Sequence, residues 1–278
     1  MDRVEDGISR LSALVADGDV VVLSGAGLST ESGIPDYRGP SGVARARAPM
    51  TYQAFTREPD ARRRYWARSH VGWRTIARAA PNAGHAAVAA LEQAGLLTGI
   101  ITQNVDGLHQ AAGAKRVVEL HGGLDRVICL DCGEVGPREA LDARLAAANP
   151  AFTAEAIEIK PDGDVEIDEE LEAGFRVPPC ESCGDGLLKP DVVFFGETVP
   201  RERVQECFAL VESARSLLVL GSSLTVMSGR RFVLRAAKRG IPVAIVNRGV
   251  TRGDAYAQLR LDAPLGSTLS TLARQFQP

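Results

Sequence analysis

The chain has 278 residues, 45% of them hydrophobic and 24% charged, which fits one large folded domain plus a small module and excludes collagen-like, mucin-like and globally disordered chains. A formal net charge of −3 leaves no cationic excess for counterion release, so no direct nucleic-acid partner is expected. No apolar run approaches the roughly 20 residues of a membrane span, and the first residues lack the apolar core of a secretory signal, so a cytoplasmic protein with no membrane partner is expected.

Residues 4–16 carry Val4, Ile8, Leu11, Leu14 and Val15 at helical spacing, and Asp-Gly-Asp then leads into the apolar run 20–23 and a glycine turn. This predicts a helix, a buried strand and a tight turn. Short β-branched runs recur at 98–103, 117–120, 217–220 and 242–246, mostly separated by amphipathic stretches of helix length at 83–93, 201–212 and 229–238. Strands alternating with helices predict an α/β fold, a parallel sheet covered on both faces. Two stretches break the rhythm and read as insertions. Residues 40–80 are rich in arginine, aromatic residues and helix formers, and residues 129–184 begin and end with a cysteine pair. Within the second, residues 156–172 alternate like strands about a Pro-Asp-Gly turn, and their acidity predicts a solvated surface.

The segment Ser24-Gly25-Ala26-Gly27-Leu28-Ser29-Thr30 begins like a dinucleotide-binding fingerprint, whose glycines let the backbone approach a diphosphate at a helix N-terminus. Thr30 stands where the third glycine belongs, and no acid follows a second strand as in a dehydrogenase, so a plain structural turn stays open. The polar stretch after it, with Asp36, Tyr37 and Arg38, fits either a lid over a ligand or a surface loop. Gln103, Asn104 and Asp106 follow a predicted strand at the edge where open α/β sheets bind ligands; separately, Asn104 or Asp106 would also suit a turn or helix cap. His121, beside Gly122, closes another strand, where an imidazole can act as a base near neutral pH. Cys129 and Cys132, with Cys180 and Cys183, form two C-x-x-C knuckles, each able to grip one edge of a tetrahedral zinc ion. Four sulfur ligands leave no open position, so this zinc is expected to be structural. Cys207, in a predicted helix, is expected in the core.

Taken in order, these motifs resemble the sirtuin family of NAD-dependent protein-lysine deacylases. The resemblance rests on Gly25 to Ser29, Gly33 to Arg38, Thr102 to Asp106, His121-Gly122, the cysteine pairs, Lys189 to Glu197, Gly221 to Leu224 and Asn247. It runs from about residue 5 to the C-terminus. The segment Tyr65 to Arg68, Leu130 to Gly133, the long spacing between the cysteine pairs, and Ser228 where class I members usually carry proline resemble class II, the mitochondrial sirtuin-4 subgroup.

The resemblance implies a Rossmann-like domain from residues 1–39, 81–128 and 185–278. It also implies a small domain formed by a helical insertion at 40–80 and a zinc-binding module at 129–184. It implies NAD and zinc as cofactors and acylated lysine side chains of proteins as partners. Carried onto this chain, Gly25, Ala26, Gly27 and Ser29 cradle the diphosphate, and Asp36, Tyr37 and Arg38 belong to the lid. Asn104 and Asp106 hold the nicotinamide end and Gln103 the nearby ribose. Gly221, Ser222 and Ser223, with Asn247, Arg248, Gly249 and Leu265, match adenosine-side contacts, Arg248 at a variable position. His121 and Asn104 are the implied catalytic residues, His121 as general base on a ribose hydroxyl while the acyl group passes to ADP-ribose. Val193, Phe194, Phe195, Gly196 and Glu197 on one side, and Ser223 to Val226 on the other, resemble two edges that clamp an extended peptide. Tyr65 and Arg68, three apart on a predicted helix, resemble the pair that binds the distal carboxylate of an acidic acyl group, so such groups are expected to be preferred over acetyl. The alternatives are protein mono-ADP-ribosyl transfer in the same site, a silent NAD- and zinc-binding sensor and, more remotely, a hydride-transfer oxidoreductase.

Overall fold

A computed structural model describes residues 2–36, 49–154, 158–159 and 164–276. The helices are α1 (Asp2–Ala16), α2 (Tyr52–Arg57), α3 (Pro59–Ile76), α4 (Ala83–Gln93), α5 (Leu108–Ala111), α6 (Arg138–Ala148), α7 (Glu169–Ala173), α8 (Arg201–Ser213), α9 (Met227–Lys238) and α10 (Leu265–Arg274). The strands are β1 (Val20–Ser24), β2 (Leu97–Thr102), β3 (Val117–Glu119), β4 (Gly122–Cys129), β5 (Val135–Pro137), β6 (Glu158–Ile159), β7 (Val165–Glu166), β8 (Leu188–Val192), β9 (Ser216–Leu220), β10 (Val243–Val246) and β11 (Leu259–Leu261).

Six strands form one parallel sheet in the order β11-β10-β9-β1-β2-β3. Its central strands are apolar on both faces, as the predicted runs require, and β1, β9 and β10 are buried at every position. One face packs Leu11, Val88, Leu91, Leu269 and Leu272 against Val20 and Val22; the other packs Cys207, Val211, Phe232 and Val233 against Val21 and Leu23. Cys207 is fully buried, as expected. The order reverses about β1, so the chain leaves β1 and β9 toward opposite flanks and opens a crevice at their C-terminal ends. Val20 pairs with Ser216 and Ser24 with Leu220, which brings Gly25 and Gly221 side by side at its floor.

The remaining elements build a smaller body. β5, β4 and β8 form an antiparallel sheet, and β6 pairs with β7. Phe55, Tyr65, Trp66 and Phe194 cluster in its core with ring centroids 5.1 to 6.4 Å apart, edge to face except for the tilted Phe55–Phe194 pair. The acidic stretch at 156–172 differs from the solvated surface its composition predicts. Val165 and Ile167 join the small core, and Glu172 is buried against Arg68. A carboxylate tolerates that position because a guanidinium meets it there. Among the described residues, no helix is long and apolar enough to cross a membrane.

Candidate active site

The crevice is a cavity of about 1180 Å³, above the roughly 300–1,000 Å³ usual for a single small ligand and so able to take two molecules side by side. Its floor is the meeting of the loops after β1 and β9. The Gly27 N–H donates to the Gly221 carbonyl at 2.9 Å, and Gly221 adopts φ +62, where a Cβ would lie 2.5 Å from the Leu28 nitrogen. Only glycine permits that approach. Gly25, Ala26, Gly27, Ser29 and Asp36 line the cavity from the β1 side, and Gly221, Ser222 and Ser223 from the β9 side. Asn247, Arg248 and Gly249, after β10, line its far end, where the Asn247 amide donates to the Arg248 and Gly249 carbonyls. Leu265 does not reach the cavity; its Cδ1 packs behind Gly221. Tyr37 and Arg38 lie outside the described residues.

The loop after β2 supplies the polar centre. The Asn104 amide donates to the Gly25 carbonyl at 3.1 Å and to Ser29 Oγ at 3.0 Å, which leaves Asn104 Oδ1 as the acceptor it can offer a ligand. Ser29 Oγ donates to Asp106 Oδ2 at 2.6 Å, and Asp106 Oδ1 accepts from the Leu108 N–H at the start of α5. Gln103 Nε2 donates to Ser222 Oγ at 2.8 Å, joining this loop to the one after β9. His109 lies beneath the floor, its Nε2 2.8 Å from Ser24 Oγ. Burial, and the neighbouring His85, lower its pKa to about 3, so it is a neutral structural group.

His121 faces the cavity from the end of β3. Its Nδ1 lies 2.9 Å from the Gln103 carbonyl, which can only accept, so Nδ1 carries the ring proton and Nε2 the lone pair. Burial, against the pull of that carbonyl and with the help of Arg203 and Arg231, lowers its pKa to about 4. The ring is therefore neutral at pH 7 and ready to accept a proton. Gly122, at φ +83, lets β8 pass so close that a Cβ would meet the Asp191 carbonyl. The Val193 N–H then donates to the His121 carbonyl at 2.8 Å.

Beyond that bond, Val193, Phe194, Phe195, Gly196 and Glu197 line one wall, and Ser223 to Val226 face them. Lys189 Nζ sits 3.0 Å from Glu197 Oε2, which also accepts the Phe194 N–H, so an ion pair between the buried Lys189 and the half-buried Glu197 fixes the first wall. In the second, Leu224 takes φ +54, an uncommon conformation for a branched side chain, and points it into the core. The structure does not bring Tyr65 and Arg68 to the cavity. Tyr65 is buried in the aromatic cluster, and Arg68 Nε lies 2.6 Å from Glu172 Oε1. Among further wall positions, Ile34, Val105 and Val192 fall within the resembling motifs without an assigned role, and Met50, an apolar residue carrying no chemical signal, was missed.

The four sulfur atoms of Cys129, Cys132, Cys180 and Cys183 lie within 4.8 Å of one another. Cys129 and Cys183 are 3.7 Å apart, and Cys132 and Cys180 3.8 Å. A tetrahedron of about 2.3 Å zinc–sulfur bonds has edges of about 3.8 Å, so the cluster fits that ion with no position left open.

The family profile described as Sir2 family matches residues 25–228. The chain is 64% identical over 256 residues to NAD-dependent protein deacetylase 1 of Streptomyces coelicolor, covering 92% of this chain and 85% of that one. It is 50% identical over 249 residues to an NAD-dependent protein deacetylase of Bordetella bronchiseptica, covering 90% of each. Among solved structures, a Sir2 protein with a p53 peptide and NAD+ superposes with a TM-score of 0.77 at 30% identity, covering 96% of this chain and 97% of that one. Another, bound to an acetylated peptide, gives 0.77 at 29% identity, with 96% and 98% covered.

Proposed function

Since the chain belongs to the Sir2 family, we propose that it is an NAD-dependent protein-lysine deacetylase. One observation carries the reading: a neutral imidazole turns an unprotonated Nε2 into a cavity floored by two glycine loops and walled by two peptide edges. A pure NAD sensor has no use for that base.

The donor set suits NAD. Gly25, Ala26, Gly27 and Ser29 with Ser222 and Ser223 would hold the diphosphate, Asn247 to Gly249 the adenosine, and Asn104 with Asp106 the nicotinamide end, all of them lining the cavity. When bound, NAD supplies the ribose carbon that gives up nicotinamide and takes the acyl oxygen. Asn104, held by Gly25 and Ser29, orients that end, and His121 Nε2 takes the proton of a ribose hydroxyl. The walls at Phe194 to Glu197 and Ser223 to Val226 accept an extended acyl-lysine peptide by backbone pairing. We assign one structural zinc to the cysteine cluster. Free thiols in that arrangement, and none in a disulfide, fit a cytoplasmic setting.

The finer readings are also ours. Class II membership rests on Ser228, residues 130–133 and the spacing of the cysteine pairs. The acidic-acyl preference has the Tyr65-to-Arg68 spacing in its favour, but Glu172 already occupies the Arg68 guanidinium and neither residue lines the cavity. We therefore take an uncharged acyl group, acetyl, as the substrate. Incubation with NAD and an acetyl-lysine peptide tests the function: equimolar nicotinamide and free lysine support it, and nicotinamide with mass gain on protein would favour ADP-ribosyl transfer.

A further inference from the structure

Ser228 stands in the first turn of α9, in the cavity wall, with its hydroxyl 2.8 Å from Nε2 of His121. Because Nδ1–H donates to the Gln103 carbonyl, Nε2 is an acceptor and the Ser228 hydroxyl is the donor. The two bonds hold opposite edges of one ring. Together they fix its rotation and its tautomer, and the reaction scheme above uses no hydroxyl at this place.

We propose that Ser228 is a positioning residue: its hydroxyl holds His121 with the Nε2 lone pair turned into the cavity, where a ribose hydroxyl replaces it when substrate binds. The inference rests on the deacetylase reading for its kinetic part and on the free protein for its structural part. A donor to the neutral ring favours that form, so Ser228 works in the same direction as burial and as the charges acting on the ring, Arg203 of α8 and Arg231 of α9. An apolar side chain at 228 would leave the lone pair without a partner before substrate arrives and the ring free to turn about its single bond to Gln103.

The test is an imidazole nitrogen NMR titration of the NAD-free protein beside a pH profile of deacetylation. The chain has four histidines, and His121→Gln identifies the signal. In Ser228→Ala the His121 midpoint rises by roughly 0.5 to 1 pH unit, the worth of one hydrogen bond. The acid limb of kcat/KM moves the same way, and plateau kcat falls about two- to tenfold with KM for NAD unchanged. Ser228→Thr, which keeps the hydroxyl, restores all three. An unmoved midpoint and acid limb in Ser228→Ala, or a Thr variant indistinguishable from Ala, overturns the proposal. If the wild type turns over no acetyl-lysine peptide, the functional reading fails, while the NMR titration still decides the role of Ser228.

Discussion

The Ser29 hydroxyl donates a hydrogen bond to Asp106 Oδ2 at 2.6 Å, and this bond joins the glycine loop after β1 to the loop after β2. Hydrogen bonds to a charged partner are worth about 1.5–3 kcal/mol. Ser29→Ala removes the bond and also frees the Asn104 amide, which donates to Ser29 Oγ at 3.0 Å. The expected result is a rise in KM for NAD of about tenfold or more, together with an unfolding midpoint lowered by several degrees, because both bonds belong to the free protein as well. Steady-state kinetics beside calorimetry check it.

Buried histidines make the fold sensitive to acid: His85, His109 and His121 all have their pKa lowered, burial being the largest cause in each. Burial lowers the pKa of His109 to about 3 and that of His121 to about 4, against 6.5 in an unfolded chain. Below pH 6.5 the unfolded state therefore binds protons that the folded state refuses. The stability these rings contribute is full above pH 6.5 and is lost as pH falls through that window toward 4. His121→Gln should flatten the fall in urea stability between pH 6 and pH 5 by roughly 1 kcal/mol per pH unit. An unchanged slope would mean that the ring is protonated in the folded state.

Zinc should be present at one ion per chain in freshly purified protein. Gly186 packs against the cluster so closely that a Cβ there would collide with Cys129 Sγ and lie 2.6 Å from Cys183 Sγ. Gly186→Ala should therefore lose the metal with all four ligands intact, and chelation of the wild type should lower its melting temperature. Elemental analysis and thermal melts check both.

Arg68→Met leaves Glu172 buried with no cation on Oε1, and its Oε2 has no partner among the described residues. Removing one member of a buried ion pair typically costs about 3–5 kcal/mol. The variant should melt earlier while its ratio of acetyl to succinyl turnover stays at the wild-type value. A changed ratio with an intact fold would return Arg68 to the acyl pocket.

The main sheet was legible because β1, β9 and β10 are nearly continuous apolar runs, which a parallel sheet covered on both faces demands, and β2 and β3 carry the shorter runs Ile100-Ile101 and Val117-Val118. β11 was not, since three residues with Arg260 in the middle make no run. The glycine loops and cysteine pairs were legible from local spacing. The Ser228 contact with His121 spans 107 positions and the Arg68 contact with Glu172 spans 104, and no local pattern encodes which distant side chain meets a given one. For Arg68 that meeting decides between a ligand receptor and a structural ion pair.

If His121 is the base of an NAD-dependent deacetylase, removing its side chain should abolish turnover and spare NAD binding. Wild type and His121→Ala are incubated with NAD and an acetyl-lysine peptide, with NAD binding measured by calorimetry on the same samples. The expected result is nicotinamide and deacetylated peptide in equimolar amounts from the wild type, and a loss of about 10²–10⁴-fold in His121→Ala with NAD affinity largely kept. Near-wild-type turnover in His121→Ala would contradict it.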